Sequence, residues 1–332
     1  MATARAVRFD RIGGPEVLEV REVQVGEPGP GELRIRVDAI GLNRAEVMFR
    51  EGTYYLRPEF PSGLGYEAAG TVEAVGPGVT GFAVGDPVGV VPAFRQTDYG
   101  TYGDRVLVPA AATVPRPAGV APEQAAAVWM AYQTAYGALV EDQRNRPGDH
   151  ILITAASSSV GLAAIQTAHR IGATPIATTR TAEKKQRLLD AGATHVVVTD
   201  EEDLVARVKE ITDGAGVRTA FDPVAGPGVE TIAQAVAPGG QLIVYGALDP
   251  RPTPLPGARS YPALTTRTYT MHEVTQDPER LARGVAFINA GLADGSFTPV
   301  VDRTFDLADI VAAHRYLESN AQVGKVVVTV RH

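Results

Sequence analysis

The chain has 332 residues with no cysteine, 35 glycines and 24 prolines, and is 45% hydrophobic but only 6% aromatic. This length accommodates two domains with separate cores, while the missing cysteine excludes disulfide frameworks, Cys-ligated zinc, iron–sulfur clusters and thiol nucleophiles. A net charge of −7 argues against a general nucleic-acid binder, and with no apolar leader and no run of about 18 apolar residues a cytoplasmic protein free of membrane spans is expected.

The first 120 residues read as short strands between turns. Residues 17–25 and 33–40 alternate apolar and polar, separated by Glu27-Pro28-Gly29-Pro30-Gly31. Residues 70–75 and 86–91 are further short apolar runs, and 43–50 reads as a short helix. Such punctuation predicts a β-rich domain. Beyond Pro122 the rhythm changes. An Ala-rich helix is predicted over 123–140, and strands at 151–155, 174–179, 195–199, 218–222 and 241–245 then alternate with helices at 160–171, 182–191, 202–212 and 228–236. Strict alternation implies right-handed crossovers and a parallel, doubly wound sheet. A Pro-rich loop at 250–256 is followed by a strand at 265–271, helices at 278–290 and 308–319, and a last strand at 325–330. The fold class is therefore α/β.

The most informative segment is Ile151-Leu152-Ile153-Thr154-Ala155-Ala156-Ser157-Ser158-Ser159-Val160-Gly161. An apolar strand enters a turn of small residues that opens a helix, the arrangement by which backbone N–H groups receive a pyrophosphate. The G-x-G-x-x-G fingerprint is here Ala156-x-Ser158-x-x-Gly161, so Ala156, Ser157, Ser158, Ser159, Val160 and Gly161 are candidate phosphate contacts. A turn of small residues that binds nothing is the plainer alternative. An NAD site places an acid about 20 residues beyond this turn. Here stand Thr178-Thr179-Arg180-Thr181, with Lys184 following, so Thr179, Arg180 and Lys184 point to the 2′-phosphate of NADPH. The alternative is two solvated cations at a helix start.

Longer stretches carry a resemblance: Gly41-Leu42-Asn43-Arg44-Ala45-Glu46, Pro61-Ser62-Gly63-Leu64-Gly65-Tyr66-Glu67-Ala68-Ala69-Gly70, Val75-Gly76-Pro77-Gly78-Val79, the 155–166 turn and helix, and Val323-Gly324-Lys325-Val326. Over almost its whole length the chain resembles the zinc-independent quinone oxidoreductases, the zeta-crystallin-like branch of the medium-chain dehydrogenase/reductase superfamily. The resemblance implies a GroES-like β-rich catalytic domain built from both chain ends (1–121 and 265–332), a Rossmann domain between them (122–264), and a homodimer. It also implies that Thr134 approaches the nicotinamide and that Lys325 lies near the cofactor. Gly246 and Ala247, just past the fifth strand, sit where ligands bind in such sheets. Zinc-dependent relatives carry metal ligands where this chain has Asn43 and Tyr66. The six histidines (150, 169, 195, 272, 314 and 332) lack ligand spacing, so no metal is expected.

Reducing an isolated ketone leaves an alkoxide that needs strong stabilisation. Hydride added to a quinone, or to the β-carbon of an enone, gives a delocalised enolate that a few hydrogen-bond donors can support. Asn43 can donate its amide N–H groups and Tyr54 its phenol; the resemblance puts Tyr54 in the substrate cleft, and Tyr66 would point the same way. Alternatives stand beside each: Asn43 as a cap on the following helix, Tyr54 as a loop aromatic, Tyr66 as a filler of the zinc-ligand space. The reading is an NADPH-dependent reductase of quinones or α,β-unsaturated carbonyls. Its alternatives are an enoyl-thioester reductase, with Arg57, Arg95 and Arg105 near the cleft mouth, and an NADPH-binding structural or RNA-binding protein.

Overall fold

The computed structural model describes residues 2–256 and 263–332. In chain order its elements are β1 (Ala2–Arg8), β2 (Glu19–Val25), β3 (Glu32–Gly41), α1 (Arg44–Arg50), β4 (Glu67–Val75), β5 (Pro87–Val90), β6 (Arg105–Pro109), β7 (Thr113–Pro115), α2 (Pro122–Ala125) and α3 (Trp129–Tyr136). There follow β8 (His150–Ile153), α4 (Ser159–Arg170), β9 (Thr174–Thr179), α5 (Lys185–Asp190), β10 (His195–Val198), α6 (Leu204–Ile211), β11 (Val217–Asp222), α7 (Val229–Ala235) and β12 (Val236–Val244). The chain ends with β13 (Thr265–Thr268), α8 (His272–Thr275), α9 (Pro278–Ala293), β14 (Val301–Asp306), α10 (Ile310–Glu318) and β15 (Lys325–Thr329).

Two compact units result, residues 1–130 with 299–332, and residues 131–298. In the first unit a seven-stranded sheet runs β14-β15-β3-β4-β5-β7, with β6 also paired to β3, and β1 pairs with β2 separately. β3 buries every second residue along most of its length, so the alternation read from the sequence is one face turned to the core. β15 lies antiparallel to β3 through Val327–Gly41, Val328–Ile40 and Thr329–Ala39. The last strand is thereby sewn beside the first long one.

The second unit holds a six-stranded sheet ordered β10-β9-β8-β11-β12-β13, and all its pairings are parallel. Counted along the chain this is the order 3-2-1-4-5-6 of a dinucleotide-binding Rossmann sheet, whose topological switch point lies between β8 and β11. Leu152, Ile176, Val197, Ala220 and Leu242 are fully buried in one core. Their unbroken apolar runs fit strands covered on both faces, each buried Leu, Ile or Val side chain contributing roughly 1.5–3 kcal/mol.

Two boundaries differ from expectation. The predicted strand at 265 was placed with the catalytic return, but β13 pairs with β12 through Gln241–Thr265 to Val244–Thr268. The second unit therefore extends to residue 298 instead of 264. The helix predicted over 123–140 is broken into α2 and α3, because Ala125 and Ala126 pack against Ala39, Ala69 and Val327. Tertiary packing there overrides local helix preference.

Candidate active site

The phosphate turn lies at the carboxyl end of β8. Ala155 adopts a left-handed φ of 45°, and Ala156 is fully buried, its N–H donating to the Thr178 carbonyl at 3.3 Å. Ser158 caps the 12-residue α4, its Oγ accepting from Gly161 N–H at 3.1 Å. A Cβ on Gly161 would stand 2.5 Å from the Ala156 carbonyl oxygen and 2.6 Å from its Cα. The position must be glycine for the helix to sit so close to the turn, which is the role of the third glycine of the fingerprint. Alanine and serine stand at the first two glycine positions of the fingerprint. Ser159 and Val160 form the first turn of α4, where unsatisfied N–H groups and the helix dipole favour an anion.

At the carboxyl end of β9, Thr179 Oγ1 donates to the Thr181 carbonyl at 3.1 Å, and Arg180 is exposed. Lys184 reaches back to the turn, its Nζ 3.5 Å from Ser157 Oγ. Positive charge therefore borders the turn where an NAD site carries an acid. These residues fit a phosphorylated dinucleotide. Between β8 and β11, at the switch point, Thr154 donates its hydroxyl to Asp222, whose other oxygen accepts from Ala225 N–H at 2.7 Å. Burial raises the Asp222 carboxyl above its ordinary range against the pull of these bonds. Gly246 lies past β12, where a Cβ would meet the Pro223 carbonyl at 2.6 Å; Ala247 beside it is exposed. Thr134 is buried within α3.

The first unit contains a buried polar network. Asn43 precedes α1, and its N–H donates to Glu46 Oε2 at 2.7 Å. Its Nδ2 donates to Glu46 Oε1 at 3.2 Å and to the Gly41 carbonyl at 3.3 Å. Its Oδ1 accepts from Lys325 Nζ at 2.6 Å. Lys325 also donates to Glu67, whose second oxygen accepts from Met130 N–H at 2.9 Å. Glu46 accepts from Tyr66 N–H at 3.2 Å as well. Glu46, Glu67 and Lys325 are at most 1% exposed. Gly41 makes room for them, because a Cβ there would collide with the Ala126 carbonyl. Burial pushes the Glu46 carboxyl up to about 8, opposed by Lys325 and the Asn43 bond.

Both Asn43 amide hydrogens are donated within this network, which makes Asn43 a member of it beside the start of α1. Lys325, expected near the cofactor, has its ammonium buried on Glu67 and Asn43. Tyr54 and Tyr66 are brought together, with ring centroids 6.5 Å apart and interacting hydroxyls. Burial pushes both phenols above their ordinary range, so each is a proton-bearing donor at neutral pH. Tyr55 lies tilted against Tyr54, with ring centroids 4.5 Å apart and planes inclined by 51°, and Phe94 stands 6.0 Å from Tyr66. Arg57 and Arg95 are exposed, whereas Arg105 is engaged by Glu73 at 2.9 Å. Neither Glu46 nor Asp222 is among the residues expected from sequence; an acid three residues after an Asn at a helix start is the signal available for Glu46, and Asp222 closes an apolar strand.

The curated quinone oxidoreductase of Pseudomonas aeruginosa is 35% identical over 329 residues, covering 98% of this chain and 99% of the relative. The chain belongs to the quinone oxidoreductase family. A 2-haloacrylate reductase of a Burkholderia species is 31% identical over 97% of this chain and 98% of its own. The crystal structure of Escherichia coli quinone oxidoreductase complexed with NADPH superposes with a TM-score of 0.89, at 31% identity over 98% of this chain and 99% of that one. Two family profiles place the family within the medium-chain dehydrogenases. "Alcohol dehydrogenase GroES-like domain" matches residues 29–119, and "Zinc-binding dehydrogenase" matches residues 159–288. The chain carries no cysteine for the zinc of the second description.

Proposed function

We propose that this quinone oxidoreductase family member is an NADPH-dependent reductase that passes hydride to quinones or α,β-unsaturated carbonyl compounds. The observation that carries the reading is the Tyr54–Tyr66 pair, a half-buried and a buried phenol whose ring centroids stand 6.5 Å apart. Such donors support a delocalised enolate more readily than a localised alkoxide. When bound, NADPH supplies the hydride. Ala156 to Gly161 hold its pyrophosphate, Arg180 and Lys184 its 2′-phosphate, and Thr134, Gly246 and Ala247 line the approach of the nicotinamide. Tyr54 donates a proton or hydrogen bond to the substrate oxygen, with Tyr66 behind it. Asn43, Glu46, Glu67 and Lys325 keep the backbone at residues 43 and 66 in place. The named activities of relatives at 31–35% identity support this reading.

A small-molecule acceptor, a homodimer and a cytoplasmic setting complete the proposal. Among the described residues no helix is long and apolar enough to cross a membrane. The test measures NADPH oxidation with 1,4-benzoquinone, 9,10-phenanthrenequinone, an alkenal and crotonyl-CoA. Turnover of the quinones or the alkenal is the expected result. Turnover of crotonyl-CoA alone would transfer the assignment to enoyl thioesters, with Arg57 and Arg95 as exposed contacts for the carrier. Tight NADPH binding without oxidation by any acceptor would rule out the enzyme.

A further inference from the structure

Two loops run side by side at the carboxyl end of the Rossmann sheet, residues 223–226 after β11 and residues 246–253 after β12. Leu248 N–H donates to the Pro223 carbonyl at 3.1 Å and Asp249 N–H to the Val224 carbonyl at 2.9 Å, while Gly226 N–H donates to Thr253 Oγ1 at 2.9 Å. In the first loop Ala225 is buried and has φ 60° and ψ −145°, a backbone region that glycine alone enters without strain. What holds it there is the bond from Ala225 N–H to Asp222 Oδ2, at 2.7 Å. The other carboxylate oxygen accepts from the Thr154 hydroxyl. Thr154 immediately precedes Ala155, the left-handed residue of the phosphate turn. Asp222 is fully buried, and a hydroxyl and an amide hold it rather than a cation. A buried carboxylate of this kind and a strained alanine both cost folding free energy, and they meet at the switch point.

We infer that Asp222 is a cofactor-positioning residue that holds strained Ala225, and with it the 223–226 loop, in the shape that receives the nicotinamide half of the dinucleotide. A Rossmann sheet takes one mononucleotide on each side of its switch point. With the adenosine and its 2′-phosphate on the side of β8 and β9, the loops after β11 and β12 lie under the other half. One carboxylate thus joins the strand end that opens the phosphate turn to the loop beneath the nicotinamide, and sets the two halves in register. Without it Ala225 relaxes to an ordinary backbone conformation and takes the loop with it. Asp222 touches no reacting atom and acts through Ala225. The inference rests on the NADPH reading above and adds a residue to it.

The test compares calorimetric Kd values for NADPH and for adenosine 2′,5′-bisphosphate, which is the adenine half alone. Asp222→Ala is expected to raise the NADPH Kd about ten-fold, as for loss of a hydrogen bond to a charged group, and to change that of the adenine half by less than about two-fold. Asp222→Asn should recover most of the loss, because its amide accepts from Ala225 and donates to Thr154. In an Ala225→Gly background Asp222→Ala should cost less than about three-fold, since glycine keeps the loop conformation without being held. Thr154→Val removes the other anchor of the carboxylate and serves if Asp222→Ala does not fold; the same pattern is expected at about two- to five-fold. Equal losses for NADPH and the adenine half overturn the inference, and so does an undiminished loss in the Ala225→Gly background. An unchanged NADPH Kd in Asp222→Ala, or in Thr154→Val where that variant alone folds, overturns it too. Each of these results leaves the reductase reading standing if wild type binds NADPH; failure of wild type to bind NADPH overturns both.

Discussion

Arg180 and His314 show how single side chains carry testable consequences. Arg180 stands exposed where a ribose-binding acid would stand in an NAD enzyme. Arg180→Asp should shift the ratio of kcat/KM values from NADPH towards NADH by at least ten-fold; steady-state kinetics with both cofactors would show it, and an unchanged ratio would remove Arg180 from the 2′-phosphate site. His314 is fully buried, and its Nδ1 lies 3.0 Å from Arg50 Nη1. The guanidinium is always a donor, so Nδ1 must accept and the ring must be neutral. Burial and the Arg50 charge push its pKa down to about 3. Below pH 6.5 the unfolded chain therefore binds a proton that the folded chain refuses, and stability falls as pH drops from about 6.5 towards 3. The slope from this group approaches 1.4 kcal/mol per pH unit. Denaturant titrations across that window should show a shallower decline for His314→Gln.

At the level of elements, helix ends explain more than helix interiors. Asp277 caps α9, its Oδ1 accepting from Glu279 N–H at 3.0 Å and Arg280 N–H at 3.1 Å, with Pro278 in the first helical position. Asp277→Ala should destabilise the second unit by about 1 kcal/mol, read as a lower denaturation midpoint with no change in NADPH affinity. The α4 cap differs in kind, because its serine belongs to the phosphate turn as well as to the helix. The alternating β8-to-β12 pattern was legible from spacing alone, with element ends within a few residues. The breaks were not legible where a partner from elsewhere in the chain intervened, as at Ala125–Ala126 against Val327. Gln241–Thr265 pairing likewise moved β13 into the Rossmann sheet, since strand partners are not encoded in a strand's own sequence.

Across the whole molecule, the first unit is assembled from two distant stretches, and Lys325 joins them from inside. Its ammonium reaches Glu67 and Asn43, 258 and 282 residues away. Lys325→Met would strand Glu67 as an uncompensated buried charge, a loss of about 3–5 kcal/mol. Thermal unfolding of the variant should show the first unit melting early while NADPH still binds the second. Residue types and spacing alone determined the α/β class, the dinucleotide turn with its small residues, the absence of an acid after β9 and the absence of thiol ligands. These properties are local, set by which side chains stand within one strand-turn-helix unit. Only the tertiary structure decided that Asn43 spends its amide on Glu46 and Gly41 and that Lys325 is buried on Glu67 and Asn43. Each of those outcomes depends on hydrogen-bond partners brought from remote strands, and burial then dictates which polar atoms are paired.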